Sequence, residues 1–426
     1  MKIKFTLVAL LTLATSSIMA QFSLSGEFRP RTEYFGNGGN FTVEPGTLPS
    51  TTAVEGQEGF ISTSARVAIK ATYKAETYTL FTSLQEVFLF GDRQQISAIG
   101  NGNLRIQEAW ADIKLAESTS LKVGRQPISY DDQRILGGLG WAQQARTHDA
   151  AILKYLNNGY SLDLGGALNT NASTGPVYNN STLFTYRDMG LLRANKKYGK
   201  LNISALALVN TYQDGIVVGN PKASLFTGGV HTGYKTGGLN LTTNIYFQDG
   251  QRLAPTTGAV LDVKGAYLAS LLAKYKFSDK FTLGAGYESI SGRTDDSAAF
   301  FPIYGTNHKF NGLMDRFYVG NHGNSSGLND LQVSVATKIS GIAVSLTGHY
   351  FTEVQDVASA PGTNTGAVGL SGKDLGSELD LVLAKKFKEF SLAGGYSQFF
   401  EPSGVIGKNT QNWAWLMLTI KPSFLQ

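Results

Sequence analysis

Residues 239–248 read LNLTTNIYFQ, and their side chains fall into two sets, with Leu239, Leu241, Ile245 and Phe247 on one parity and Asn240, Thr242, Asn244, Tyr246 and Gln248 on the other. A repeat of two is the side-chain period of a β-strand, so one face of this segment is greasy and the other wet. The pattern recurs outward from it. Tyr267, Ala269, Leu271 and Ala273 stand against Lys264, Ser270, Lys274 and Lys276, and Phe281, Leu283, Ala285 and Tyr287 against Thr282 and Glu288. Near the start, Phe22, Leu24, Gly26 and Phe28 oppose Ser23, Ser25, Glu27, Arg29, Arg31 and Glu33.

Such segments are separated alternately by short turns and long loops. Turns are read at Lys74-Ala75, Ala116 to Thr119, Asn157-Asn158, Tyr198 to Lys200, Thr236 to Gly238, Ser278 to Lys280, Ser340-Gly341 and Lys388-Glu389. Longer connections are read at 36–59, 91–102, 131–147, 171–181, 214–222, 252–263, 293–326, 355–374 and 402–410. Eight turns and nine loops make seventeen connections and eighteen strands, with both ends of the sheet on the short-turn side. A soluble sandwich also alternates, but it has no need of long loops at one end only. The reading is all-β: a single closed antiparallel transmembrane β-barrel of about 18 strands, with short periplasmic turns and long extracellular loops. Closure is required because a sheet edge in hydrocarbon leaves backbone groups unpaired. Eighteen strands leave a water-filled lumen, so a channel is the default function.

Composition agrees. The chain opens MKIKFTLVALLTLATSSIMA, with Lys2 and Lys4 ahead of an apolar run and small residues before Gln21, so residues 1–20 read as a secretory signal peptide and 21–426 as the outer-membrane barrel. Removing those two lysines takes the formal charge from +5 to +3, which argues against a nucleic-acid partner. The chain has no cysteine, so no disulfide framework supports it. No later apolar run approaches the roughly 20 residues of a membrane-spanning helix. The last strand, Trp413 to Lys421, carries two tryptophans suited to an interfacial belt, and the chain then runs on as KPSFLQ instead of stopping on an aromatic.

Catalytic motifs are missing. Among His148, His231, His308, His322 and His349 none sits in a recognisable nucleophile setting, and there is no G-x-S-x-G elbow, so a membrane lipid hydrolase is a remote alternative. His308, Asp315 and His322 share a loop at weak metal-ligand spacing; Asp131-Asp132 and Asp295-Asp296 read as solvated external acids. No catalytic residue, cofactor or metal is expected.

The stretch GRQPISYDDQRILGGLGWAQQARTHDA, residues 124–150, sets Arg125, Arg134 and Arg146 among Asp131, Asp132 and Asp149. Planar, permanently charged donors suit carboxylates along a passage. Arg29, Arg31, Arg66, Lys70, Arg187 and Arg193 fit the wet parity of their strands, opposite acids such as Glu27, Glu86, Glu108 and Asp112. A lumen lined with both signs carries a transverse field, and an arginine excess along one track attracts anions.

With the preceding QEAWADIKL, this stretch resembles the alginate export family of outer-membrane porins, on Gly124-Arg125-Gln126, Arg134, and Arg146 with Asp149. The resemblance is sharpest over residues 103–156. It implies an eighteen-stranded barrel in a Gram-negative outer membrane, an arginine-rich lumen passing an anionic saccharide or small anionic solute, and an inward Arg125. Strict alternation places Arg125 with Leu121 and Val123, so either those aliphatics face the lumen or a bulge near Pro127 shifts the register. Members that export alginate work beside a periplasmic secretion scaffold, which is a candidate partner besides lipid and lipopolysaccharide. The alternative is a general or sugar-uptake porin whose arginines are structural. Finally, the loop from Arg293 to Gly327 holds Phe300, Phe301, Tyr304, Phe310, Phe317 and Tyr318, a density of aromatics that predicts a constriction folded over or into the mouth.

Overall fold

The computed structural model describes residues 21–36, 59–92, 104–169, 186–213, 222–254, 259–317, 326–354, 374–401 and 411–425; the segment 1–20, Tyr318 and His322 lie outside them. The strands are β1 Gln21–Phe35, β2 Phe60–Lys74, β3 Tyr78–Leu89, β4 Arg105–Ala116, β5 Thr119–Gln126, β6 His148–Asn157, β7 Tyr160–Leu168, β8 Asp188–Tyr198 and β9 Leu201–Gln213. They continue as β10 Lys222–Thr236, β11 Leu239–Leu253, β12 Val260–Ser278, β13 Phe281–Ser291, β14 Gly327–Ile339, β15 Ile342–Thr352, β16 Asp374–Lys386, β17 Phe390–Phe400 and β18 Gln411–Ile420. Each pairs antiparallel with the next, and β18 pairs with β1, closing an eighteen-stranded barrel. Each expected turn and loop falls between two strands. Asn307–Lys309 forms a 3-10 turn inside the loop after β13.

The outer face is apolar, as the alternation implies: Ile245, Phe247, Leu271, Leu283 and Tyr287 are all exposed there, while Asn244, Tyr246, Gln248 and Glu288 on the same strands are buried. The interrupted last strand has a simple cause. Pro422 lacks an N–H for the ladder, and after it Ser423–Leu425 resumes pairing with β1 through Ser25 and Leu24. Phe424 then lies on the outer face against Gly26, where a larger residue would collide with its ring.

Several inward and outward assignments are corrected. Trp413 and Trp415 do not join an outer belt; they share the inward parity of Gln411, are buried, and pack edge-on to Trp141 at 5.7 and 4.9 Å. Lys264 does not face the lumen, because a bulge opposite Gln248 and Gly250 turns Val263 inward and leaves Lys264 outside with Asp296 at 3.2 Å. Glu86 pairs in register with the exposed Val67 and so lies on the outer parity, away from Arg66. The inner wall is also not uniformly wet: Met189, Leu191, Leu206, Leu208, Leu225 and Leu268 face inward and are buried. They are covered by loop segments that enter the barrel.

Gly124, the first residue of the G-R-Q motif, has φ +121° and sits where a β-carbon would press on the Ala109 carbonyl of β4. Only glycine meets both conditions. Gly124→Val is expected to strain the backbone by roughly 1–3 kcal/mol before any collision is counted. The measurement is the yield of heat-modifiable folded barrel on refolding into micelles; an unchanged yield excludes this role.

Candidate functional site

Two segments enter the lumen from the extracellular side, residues 127–147 between β5 and β6 and residues 292–317 between β13 and β14. They meet at a single bridge between Leu136 and Tyr304, supported by Gly137 N–H donating to the Tyr304 carbonyl (2.8 Å) and Thr306 N–H to the Gln133 carbonyl (2.9 Å). Phe300, Phe301 and Tyr304 are buried against the apolar wall, with Asn210 on β9 donating to the Tyr304 hydroxyl at 2.9 Å. Gln248 on β11 exchanges two 2.8 Å hydrogen bonds with the Phe301 backbone. Burial raises the phenol pKa of Tyr304 and Tyr186, so both stay neutral. The expected constriction segment thus lies inside the barrel. Phe310 lies under the Arg134 guanidinium, 4.4 Å from it, and Phe317 packs on Phe351 at 4.7 Å.

The first segment is irregular, with Asp131, Gln133, Leu139 and Ala145 at positive φ, and its carbonyls have no ladder of their own. Arginines of the wall satisfy them. Arg29 donates to the carbonyls of Gly140 (2.7 Å), Trp141 (3.2 Å) and Ala142 (3.3 Å) and to the Gln143 side chain (3.0 and 3.1 Å). Arg31 donates to Trp141 (2.7 Å) and covers its ring at 4.1 Å. Arg66 donates to Ala142 (2.7 Å) and Gln143 (2.5 Å), and Arg105 to Gln144 (2.7 Å). Glu27 in turn accepts from Arg66 (3.3 Å) and Lys70 (2.7 Å).

The other side of the lumen is acidic. Glu288 on β13, Asp330 on β14, and Glu378 and Asp380 on β16 are all buried, with His349 on β15 among them, 2.9 Å from Asp330. Their acceptors hold the second segment: the backbone N–H groups of Leu313 and Met314 donate to Asp380 (3.2 Å) and Glu378 (2.8 Å), and Asn311 to Glu288 (2.9 Å) and Asp330 (3.2 Å). Arg134, only 2% exposed, forks onto Glu288 and ties both segments to this wall. Asp131 and Asp132 are not external: Arg193 reaches Asp131 at 2.7 Å and Asn244 reaches Asp132 at 2.7 Å, inside the barrel. His308 is buried, not solvated; it stacks on Trp141 at 4.5 Å and pairs with Asp315 at 2.8 Å, and among the described residues no metal-ligand cluster includes it. Asp295-Asp296 stays external, and Thr294 and Lys264 bind the Asp296 carboxyl and lower its pKa.

Arg125 is the main correction. The register from Thr119 against Tyr155 to Gln126 against His148 is unbroken, so no bulge intervenes, and Gln126 and His148 are the residues that face in. Arg125 falls on the outer parity with the exposed Val123, its side chain 45% exposed and forked onto Asp149 at 2.8 and 2.9 Å. Arg187 pairs with Asp188 at 2.5 Å and donates to Gln213 at 3.1 Å.

Strands β5, β6 and β7 are short, at 8, 10 and 9 residues, and they leave a low lip where Arg125 and Arg146 meet after all. A cavity of about 310 Å³ there is lined by Arg105, Arg125, Arg146, His148, Tyr186 and Tyr304, with Asp149 as its one carboxylate. Arg146 also donates to the Gly305 carbonyl at 3.0 Å. Across the inserted segment a second cavity, of about 350 Å³, is lined by Arg31, Glu33, Asp92, Asp315, Trp141 and Trp413. Sequence reasoning missed Arg105, since a bulge at Gln107 turns it inward against the parity of Glu108 and Asp112. It also passed over Asp330, Glu378 and Asp380, whose inward parity was the available signal.

The alginate export family profile matches residues 54–401, most of the chain. No curated protein sequence matches it. Solved structures that it resembles include Pseudomonas aeruginosa OccK9 (OpdG), at 12% identity, TM-score 0.60 and 95% and 99% coverage of the two chains. Acinetobacter baumannii OccAB4 gives 13%, 0.59, and 94% and 98%, and Pseudomonas aeruginosa OccK11 (OpdR) 13%, 0.58, and 95% and 96%. At such identities they share the fold, that of outer-membrane porins. The chain belongs to the alginate export family and is a channel of the Gram-negative outer membrane, not an enzyme.

Proposed function

We propose that the channel passes a carboxylate-bearing anion, an anionic saccharide or a small anionic solute, and that it selects for charge at the lip above β5 and β6. The observation that carries this reading is the cavity lined by three guanidiniums and a single carboxylate. Asp149 fixes Arg125 by a two-point fork and leaves the cavity with two positive charges in excess. Guanidinium groups in a confined passage act at lower effective dielectric than in bulk, and each favours a passing carboxylate by about 1 kcal/mol, or about fivefold.

The arginines that sequence alone assigned to the path divide into two kinds. Arg29, Arg31, Arg66, Arg134, Arg187 and Arg193 direct donors to segment carbonyls or to neighbouring polar side chains, and so shape the passage by holding its walls. That commitment favours the second reading, a general or sugar-uptake porin with structural arginines.

Reversal potentials in a salt gradient separate the two. Arg125→Ala and Arg146→Ala are each expected to lower the anion-to-cation permeability ratio by about fivefold at low salt, fading at 1 M salt where the Debye length is about 3 Å. Swelling of liposomes in uncharged sugars should change little. If both variants keep the wild-type reversal potential, the structural-arginine porin stands instead. Deleting residues 296–322 is expected to raise single-channel conductance, because Phe300, Phe301 and Tyr304 leave the lumen; an unchanged conductance in a heat-modifiable barrel refutes the constriction.

A further inference from the structure

The periplasmic end of the lumen carries a pattern that the arginines do not explain. Lysines stand there on the inward parity of alternate strands: Lys74 on β2, Lys114 on β4, Lys154 on β6, Lys235 on β10, Lys274 on β12 and Lys338 on β14. Strands β8 and β16 end in the same way. Each lysine shares parity with an inward residue of its own strand: Lys74 with Arg66, Lys114 with Glu108, which pairs with the buried Ser83, Lys154 with His148, Lys235 with His231, Lys274 with Leu268 and Lys338 with Asp330.

Across the ladder Lys154 stands opposite Asp163, but the other five lysines meet neutral partners. Lys74 is in register with Thr79, Lys114 with Ser120, Lys338 with Ala343, and both Lys235 and Lys274 with Asn240. A wall built on ion pairs would place acids opposite. The lysine ion pairs of the described residues are Lys70 with Glu27, Lys264 with Asp296, Lys276 with Asp279 and Lys388 with Glu389, and none of the six is among them. Acids at this end are fewer: Asp112 and Asp163 face inward on β4 and β7, and Glu76, Glu117, Asp279 and Glu389 sit in turns. Among the described residues of this end, the arc from β8 to β14 holds one acid, Asp279, and Lys276 pairs with it.

Alternate strands lie about 10 Å apart, close to the Debye length of about 8 Å at physiological salt, so neighbouring lysine potentials overlap. A lysine is a hydrated point charge on a flexible stem, which suits many weak contacts more than one tight, oriented contact. We propose that these lysines form a collar that binds multivalent anions at the periplasmic mouth. A carboxylate- or phosphate-bearing chain arriving from the periplasm is held across several of them before it enters. The inference rests on the channel reading, but not on the arginine cavity at the other end of the barrel.

The test uses the whole barrel in planar bilayers, with hexaglutamate and inorganic tripolyphosphate as probes added to one side at a time. At 0.15 M salt both should block current from the periplasmic side at about tenfold lower concentration than from the other side, an asymmetry lost at 1 M salt. The triple variant Lys235→Gln, Lys274→Gln, Lys338→Gln should lose the asymmetry and keep the heat-modifiable fold. Equal block from both sides, block by one probe only, or asymmetry retained in the variant each overturns the collar. Equilibrium binding of labelled hexaglutamate to the detergent-solubilised barrel, expected to weaken about tenfold in the variant, reads the collar whether or not current flows. Tight binding without any current would separate a failure of the channel reading from a failure of this one.

Discussion

A chain segment that lies in a lumen without strand or helix must find donors for its carbonyls outside itself, and in this barrel wall arginines supply them. Arg29, Arg31, Arg66 and Arg105 come from three strands and converge on five consecutive residues, Gly140 to Gln144. A guanidinium suits this because its donors lie in a plane and keep their charge, so one side chain reaches two or three carbonyls. The second segment solves the same problem with the opposite polarity, its N–H groups donating to Glu378 and Asp380. Arg134 is the joint between the two systems, because it belongs to the first segment and is bound by an acid of the second segment's wall.

From this follows the electrical asymmetry of the lumen. The wall of β1 to β4 is basic because it receives carbonyls, and the wall of β13 to β16 is acidic because it receives N–H groups. Apolar side chains fill the inner wall between them, where Phe300, Phe301 and Tyr304 rest. The charges that secure the segments are thus largely spent on the protein itself, and the electrostatics open to a solute are found where segments and wall leave space. The low lip of β5 to β7 is one such place, and the periplasmic end is another.

The barrel was legible because its information is local. Alternation within ten residues decides a strand, and turn or loop length decides which end it belongs to, so all eighteen strands and their connections follow from reading along the chain. The parity of β5 was legible too: alternation set Arg125 beside Val123, and the unbroken register keeps it there, against the inward placement implied by the resemblance. The aromatic density of the segment after β13 likewise pointed inside, since large rings left in water have no partner.

What the sequence by itself determined, then, is the barrel, its orientation in the membrane and the face on which most regular residues lie, because these depend on a period of two and on chain reversals. Only the tertiary structure decided what the arginines touch. Arg29 and Gly140 are separated by 111 positions, and Arg134 and Glu288 by 154, so no periodicity links them. Bulges were also beyond reach: one extra residue at Gln107 turns Arg105 inward, and another near Lys264 turns that lysine out. Such shifts leave little trace in composition, because register is settled between strands and not within them.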